Sequence, residues 1–312
     1  MKRNDILVVM PYGVWFASAL KETGLQVDCP YYGNVFFLRL IREFCFRLKL
    51  PLKTIWYKGI DETYRYFFIS ASLITSDYIA WLKKNHPNVK IILFYTNKVD
   101  EKKYNPFNIP ETLCEKWTSD KDDAKKYHMH LFEGGGYFRQ WKVNKITPVY
   151  DVFYIGKDKN RLARLRKIES EMNNQGIKTL FYITWERSWQ KKNDGIHQPF
   201  LPYEGVLDYI GKSKAILHLL EGAQNGITIR IQESLIHKVK LITDDVNIVK
   251  YDFYNPNNIF ILGRDNMNGL KDFLDTPYED VKSDFFKHAY YDQMIDEIVM
   301  GSYRNSTLDT RD

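Results

Sequence analysis

Cysteine is scarce in this chain. Its 312 residues hold three, Cys29, Cys45 and Cys114, an odd count with no Cys-x-x-Cys spacing. That excludes a disulfide framework and a thiolate zinc site, and it fits reduced thiols in a cytosolic protein. No apolar run reaches the ~18 residues of a bilayer span. Long runs of like charge are also missing: 45 basic and 39 acidic residues give +6, spread along the chain. With no RNP-type strand and no basic helix, nucleic acid is not an expected partner, whereas a mildly basic surface suits an anionic substrate or an anionic membrane face. Met1-Lys2-Arg3 ahead of the apolar stretch Ile6–Leu20 has the outline of a targeting signal. Pro11, Tyr12 and Gly13 break that stretch into a short strand, a turn and a helix start, as at the beginning of an α/β domain.

Aromatic residues are plentiful. They make up 15% of the chain, with 22 Tyr and 19 Phe, while hydrophobic residues at 44% and charged residues at 27% are ordinary for a globular protein. The length is about twice a typical domain, so two cores are expected. Continuous apolar runs at Ile6–Met10, Tyr66–Ile69 and Lys90–Tyr95 alternate with helix-period segments at Asn34–Leu48 and Ile74–Lys84. Strands apolar on both faces belong in a parallel sheet covered by helices. Residues 96–147 are less regular, and Lys142–Pro148 reads as a linker.

A second series follows: strands at Val149–Ile155, within the turn and strand Gly176–Thr184, and at Ala215–Leu220, Lys238–Thr243 and Asn258–Leu262, with helices at Arg161–Asn173, Tyr203–Ser213 and Thr228–Ile236. The expectation is an α/β protein of tandem Rossmann-like domains, residues 1–147 and 148–276. Residues 277–312 would add a helical segment, aromatic-rich over Tyr278–Met300, and a frayed tail over Gly301–Asp312. Ligands of such sheets bind at the carboxyl ends of the strands, so the function is expected there.

The segment Leu219–Glu233 carries the most chemistry. A strand runs into a polar, glycine-bearing loop, and a helix starts near Gly226–Thr228 with free N–H groups, a ready anion site to which Arg230 adds a bidentate donor. Glu233, one turn on, shares the face of Arg230. It would either accept hydrogen bonds from a ribose diol or form a solvated ion pair with Arg230. Gly156 ends the first strand of the second series, where Lys157 and Arg161 can meet a phosphate. Pro11-Tyr12-Gly13 occupies the matching place in the first domain, without Asp, Glu or His. Asp120, Asp123 and Glu133 are the candidate bases from elsewhere. His128 and His130, two apart, lack the further ligands of a metal shell, so no metal is expected. The loop Glu133–Gly136 reads as a mobile turn or a flexible acceptor loop. The stripe of Phe285, Phe286, Tyr290, Tyr291, Met294 and Ile298 reads as a core seam or a membrane face, and the helix over Phe36–Lys49, with its arginines, reads as the better membrane candidate.

The string Gly226-x-Thr228-x-Arg230-x-x-Glu233-x-Leu235, followed by Lys238-x-Lys240-Leu241-Ile242-Thr243 and Tyr251-Asp252-Phe253-Tyr254-x-Pro256-x-Asn258-Ile259-Phe260-Ile261, resembles bacterial GT-B glycosyltransferases of surface-polysaccharide and lipopolysaccharide clusters, the CgeB-like proteins. The resemblance covers residues 148–265, with an echo at Trp117–Tyr127. It implies two Rossmann-like domains facing a cleft, a C-terminal helix crossing back to the first, and a nucleotide-sugar donor site in the second. On that resemblance Glu233 is the ribose position, Thr228 and Arg230 are diphosphate positions, and Tyr12 and Gly13 lie in the acceptor site. Position in the family also puts Tyr203 and Glu204 near the base. Retaining members often carry a glutamate where this chain has Asn225, so the stereochemistry stays open, and Glu221 lies too far upstream to replace it.

The expected function is sugar transfer from a nucleotide-diphosphate sugar to a glycan or lipid-linked acceptor, with Arg230 stabilising the departing diphosphate. The protein would be cytoplasmic, in peripheral contact with the membrane, and without a cofactor. An epimerase on the same scaffold and a non-catalytic nucleotide- or glycan-binding subunit are the alternatives.

Overall fold

The computed structural model describes residues 3–48, 50, 53–60, 63–71, 76–185, 194–220 and 226–302, apart from the side chains of Arg47 and Lys103. The expected tail beyond Ser302, and Glu221 and Asn225, lie outside the described residues. Two compact α/β units emerge, one built from 3–138 with 288–302, the other from 139–220 with 227–287.

The first unit holds β1 (Ile6–Val9), β2 (Gln26–Asp28), β3 (Tyr66–Ser70), β4 (Lys90–Tyr95), β5 (Glu115–Thr118) and β6 (His130–Leu131). All pair in parallel, in the order β2-β1-β3-β4-β5-β6, with Leu7 opposite Phe67 and Phe68 opposite Ile92. β1 and β4 are buried along nearly their whole length on both faces, as their unbroken apolar sequence requires. Helices α1 (Ala17–Glu22), α2 (Phe36–Arg47), α3 (Ser76–Asn85), α4 (Glu101–Tyr104) and α5 (Lys121–Tyr127) complete the chain's first pass. The region expected to be irregular contains β5, α5 and β6. Asp120 caps α5, its Oδ1 accepting from the backbone N–H of Asp122 at 3.0 Å and of Asp123 at 2.9 Å.

The second unit holds β7 (Tyr150–Lys157), α6 (Leu162–Asn174), β8 (Thr179–Thr184), α7 (Tyr203–Gly211), β9 (Ser213–His218), α8 (Ile229–His237), β10 (Lys240–Thr243), β11 (Ile259–Ile261) and α9 (Leu270–Asp275). Its sheet is also parallel, in the order β11-β10-β9-β7-β8, with Phe153 opposite Ile216. The stretch that reads as a linker is fastened to this unit. Trp141 packs on Tyr203 with ring centroids 4.2 Å apart, and the Ile146 N–H donates to the Gly211 carbonyl at 3.2 Å.

The last helix, α10 (Tyr291–Met300), belongs to the first unit. Tyr291 stacks on Phe138 at 5.5 Å, with 9° between the rings, and its N–H donates to the Tyr137 carbonyl at 2.8 Å. Arg3 holds Asp292 at 2.9 Å and Asp296 at 2.6 Å. The aromatic stripe divides accordingly: Tyr291, Met294 and Ile298 are buried in this unit, whereas Phe285 packs on Phe253 in the other, 6.0 Å between centroids.

The glycine loop turns out to be a seat for this returning segment. The Gly135 N–H donates to the His288 carbonyl at 2.6 Å. Gly134 has φ +127°, and a Cβ there would lie 2.7 Å from the His288 backbone oxygen. The seat therefore depends on the absence of a side chain rather than on looseness. Gly134→Ala is expected to destabilise the first unit by about 2–4 kcal/mol, whereas Gly24→Ala, with φ +86° but open space around the new methyl, costs about 1 kcal/mol. Urea unfolding of both variants checks this, and equal costs would mean that the loop is no fixed seat.

Candidate functional site

Strand order reverses direction once in each sheet, and ligands of open parallel sheets bind at the carboxyl ends of the two strands flanking the reversal. In the second unit those strands are β7 and β9, so the segments at issue are Gly156–Arg161 and the approach to α8. In the first unit they are β1 and β3, which places Pro11–Gly13 at the reversal.

Beyond β7 the backbone turns through Lys159 at φ 47° and Asn160 at φ 59° before α6 begins. Left-handed backbone at two successive non-glycine residues is costly and must be held. Asp158 holds it, its Oδ1 accepting from the N–H of Arg161 at 3.1 Å and of Leu162 at 3.0 Å. Gly156 is needed for space, since a Cβ there would sit 2.6 Å from the Tyr154 hydroxyl. That hydroxyl receives Arg161 Nη2 at 3.4 Å, while Arg161 Nη1 reaches across the reversal to the Leu219 carbonyl at 3.2 Å. Nη2 also donates to the Lys157 carbonyl at 3.3 Å. Arg161 is thus fixed entirely by neutral oxygens and has no carboxylate partner among the described residues. Lys157, exposed beside it, forms no ion pair there either.

On the other side, Thr228 occupies the N-cap of α8 but does not cap it with its side chain. Its Oγ1 instead lies 3.2 Å from His218 Nε2, and His218 Nδ1 lies 3.0 Å from Thr243 Oγ1. Among the described residues no side chain caps the first-turn N–H groups, which suits them to an external acceptor. His218, at the end of β9, is buried, and desolvation, opposed by Asp244 and helped by Arg230 and Arg161, holds its pKa down at about 4. Both arginines therefore lie within electrostatic reach of one neutral imidazole. Asp244 is itself engaged, with Arg164 at 2.8 Å and the Leu220 N–H at 2.7 Å.

Arg230 and Glu233 meet on one face of α8, as their spacing predicts, but the pair is not solvated. Glu233 is fully buried, with one oxygen taken by Arg230 and the other accepting from the Tyr203 hydroxyl at 2.7 Å. Burial raises the carboxyl pKa, against the lowering pull of Arg230 and Tyr203. As described, Glu233 orients Arg230 and Tyr203, and neither oxygen is open to a ribose diol.

The remaining candidates are accounted for locally. Tyr12 is exposed after β1, and Gly13 supplies the left-handed turn at φ +77°. Asp120 caps α5, Asp123 accepts from the Val99 N–H at 2.7 Å, and Glu133 pairs with Lys121 at 2.5 Å. His128 closes α5 in the left-handed conformation, and His130 packs on Trp117 with 4.7 Å between ring centroids. A cavity of about 210 Å³ lies in the second unit beside Lys145, Lys214, Lys238 and Lys240. It opens at the amino ends of β9 and β10, and its lysines already hold partners such as Asp275 at 2.7 Å and Asp280 at 2.5 Å.

His218 was not singled out from sequence. Its only signal is a histidine ending an apolar strand, and the two threonines that hold it are distant in the chain.

No family model matches the chain, and no curated protein matches it. Among solved structures, a glycotransferase of kitacinnamycin is similar at 10% identity and a TM-score of 0.42, over 87% of this chain and 90% of that one. Spinosyn forosaminyltransferase SpnP is similar at 9% identity and a TM-score of 0.40, over 94% and 90%.

The sign of one titration is fixed by this geometry. The folded-state pKa of His218, about 4, lies below the ordinary 6.5, so the unfolded chain binds the extra proton first and stability falls as pH drops through that window. His237, also pushed to about 4 by burial, adds to the loss, and Glu233 works in the opposite sense. His218→Gln should flatten the decline in denaturation midpoint between pH about 6.5 and about 4. A slope identical to the wild type would remove His218 from the account.

Proposed function

We propose that the chain is a GT-B glycosyltransferase that binds a nucleotide-diphosphate sugar in its second unit. The observation that carries this reading is the convergence at the β7/β9 reversal of an arginine without a carboxylate among the described residues, a second arginine aimed by a buried glutamate, an exposed lysine and a helix start that lacks a side-chain cap. Such a set is suited to two linked phosphates. Arg161 and the N–H groups following Gly226 and Thr228 would bind the diphosphate, with Lys157 at its edge.

Arg230 would act on the reaction. As the glycosidic bond breaks, the electron pair goes to the β-phosphate oxygen, whose charge rises. A guanidinium already held in place by Glu233 stabilises that charge without reorganising. Glu233 is then a positioning residue, and Tyr203 braces it. The acceptor, a glycan or a lipid-linked glycan of a bacterial surface polysaccharide, would meet Tyr12 and Gly13 in the first unit, with that unit in peripheral contact with the cytoplasmic face of the membrane. No metal or cofactor is invoked, because cationic side chains can carry the developing charge.

Thermal shifts with UDP, GDP, CMP, ADP and dTDP test the site. One diphosphate is expected to stabilise the wild type, and Arg161→Ala and Arg230→Ala to reduce or abolish that shift. With the matching sugar donor, Arg230→Ala should lower kcat/KM by about 2–4 kcal/mol of transition-state stabilisation. Binding that survives both substitutions would refute the donor site. Donor turnover without any acceptor would favour an epimerase, and tight binding with no turnover on any acceptor would favour a non-catalytic subunit.

A further inference from the structure

Helix α2 is amphipathic with its polarity reversed. Helices on a sheet bury their apolar stripe and expose their charges, but here the most deeply buried side chain is Arg42, at 5% exposure, while Phe36, Phe37 and Phe44 stand 71%, 69% and 59% exposed. At about 100° per residue, Phe36, Phe37, Leu40, Ile41 and Phe44 form one continuous face, and Arg42 lies on the opposite side.

The inward side holds the arginine by specific contacts from its terminal nitrogens, while its buried Nε has no partner among the described residues. Arg42 Nη1 donates to the Tyr32 carbonyl at 2.8 Å and to Asn34 Oδ1 at 3.3 Å, and its guanidinium lies 5.0 Å from the Tyr31 ring centroid. Phe46, one turn on, packs edge-on to Tyr31 at 5.2 Å. The helix is therefore anchored with its apolar face outward, and the exposure is part of the fold.

The patch extends beyond the helix. Tyr32 and Val35 precede it and are exposed, and Ile55 lies in the turn Lys53–Trp56, to which the Tyr32 N–H is bonded at 2.8 Å. Because β1 and β2 are adjacent and parallel, the loops after them leave the same sheet edge. Exposed Tyr12 and Trp15 thus share that edge with Tyr32 and the start of α2. A patch of this extent on a folded chain marks an interaction surface.

Charge selects the occupant. The helix sequence carries three arginines to one glutamate. Glu43 lies 3.7 Å from Arg42, and the guanidinium of Arg39, exposed at the flank of the apolar face, has no ion-pair or hydrogen-bond partner among the described residues. A two-fold pairing of copies would set this positive flank against itself, whereas anionic headgroups would neutralise it while the rings enter the acyl boundary, with Tyr and Trp at headgroup depth.

We infer that α2, with the Tyr12–Trp15 and Tyr32–Val35 loops, docks the first unit on an anionic lipid surface. This rests on the acceptor side of the proposed function and deepens it, and it is independent of the donor site. It places the exposed aromatic edge of the β1 loop at the lipid boundary, where the glycan head of a lipid-anchored acceptor would be presented.

Flotation of the full chain with vesicles tests it, using phosphatidylcholine alone and phosphatidylcholine mixed with phosphatidylglycerol. The wild type is expected to float with the mixed vesicles, and less so as salt rises. Phe37→Ser/Phe44→Ser should lower that partition roughly tenfold or more. Arg39→Glu, which leaves the apolar face intact, should lower it roughly fivefold on the anionic vesicles alone. The thermal midpoint should not fall in either variant, since the substituted side chains are exposed. Absence of flotation on both compositions would overturn the inference, as would a double variant that floats like the wild type. A wild-type dimer that the double variant makes monomeric, with no vesicle binding, would also overturn it and assign the face to a second copy. Diphosphate thermal shifts on the same samples separate the two readings: loss of flotation with shifts retained would refute only the docking surface, and flotation without any shift would refute only the donor site.

Discussion

The second unit depends on keeping a guanidinium at the β7/β9 reversal that no carboxylate among the described residues neutralises. A half-buried arginine normally draws a carboxylate, because an unpaired charge away from water is costly. Arg161 donates from both terminal nitrogens to the Leu219 and Lys157 carbonyls and the Tyr154 hydroxyl, while its buried Nε has no partner among the described residues, so its position is fixed while no carboxylate among them compensates its charge. Several neighbouring features serve that arrangement. Asp158 puts its carboxylate on the N–H groups of α6 rather than on the guanidinium, Gly156 leaves room for the Tyr154 hydroxyl, and the left-handed residues Lys159 and Asn160 bring the chain round tightly enough for Arg161 to begin the helix.

The same logic explains the burial of Glu233 and the neutrality of His218. A free glutamate at the surface of α8 could swing toward Arg161 and cancel it. With one oxygen on Arg230 and the other on the Tyr203 hydroxyl, it supports one arginine and is withheld from the other. His218 lies among cations and is held neutral by burial between two threonine hydroxyls, so it adds a polar contact without more positive charge. Among the described residues, the nearby acids Asp158, Asp244 and Glu233 each have a separate structural task and none pairs with Arg161.

How much of this the sequence discloses depends on how local the cause is. β4 lies over Lys90–Tyr95 as the apolar run predicts, and α8 begins where the glycine and threonine imply, because those signals are contained in a few residues. β5, reading Glu-Lys-Trp-Thr, has no such signal. It is a strand because β4 and β6 bond to it and because Lys116 can send its Nζ to the Pro106 carbonyl at 2.9 Å. β2, at the sheet edge and largely polar, is hidden for the same reason. At the site, the shared face of Arg230 and Glu233 follows from their spacing, but the burial of that pair requires Tyr203, thirty positions away. The lack of a counterion for Arg161 among the described residues is still less legible, since it is a property of where Asp158, Asp244 and Glu233 have gone.

The two units solve opposite problems with the same sheet topology. Each places its loops at a single reversal of strand order, yet one brings two arginines and a lysine there and the other carries the exposed rings of Tyr12 and Trp15. A polyanionic donor and an amphiphilic acceptor would need that division, because one surface cannot hold phosphate charge and apolar chain equally well: desolvating the apolar part would strip water from the charges as well. The reversed polarity of α2 belongs to the same division. Turning Arg42 inward places the cost of burying a charge where the Tyr32 carbonyl, Asn34 and the Tyr31 ring offset it, and it frees the outer face to be apolar. A helix with Arg42 outward and its phenylalanines buried would be the ordinary solution for stability alone. The chain instead supplies a specific seat for the arginine, so the exposure of the apolar face follows from how α2 is anchored.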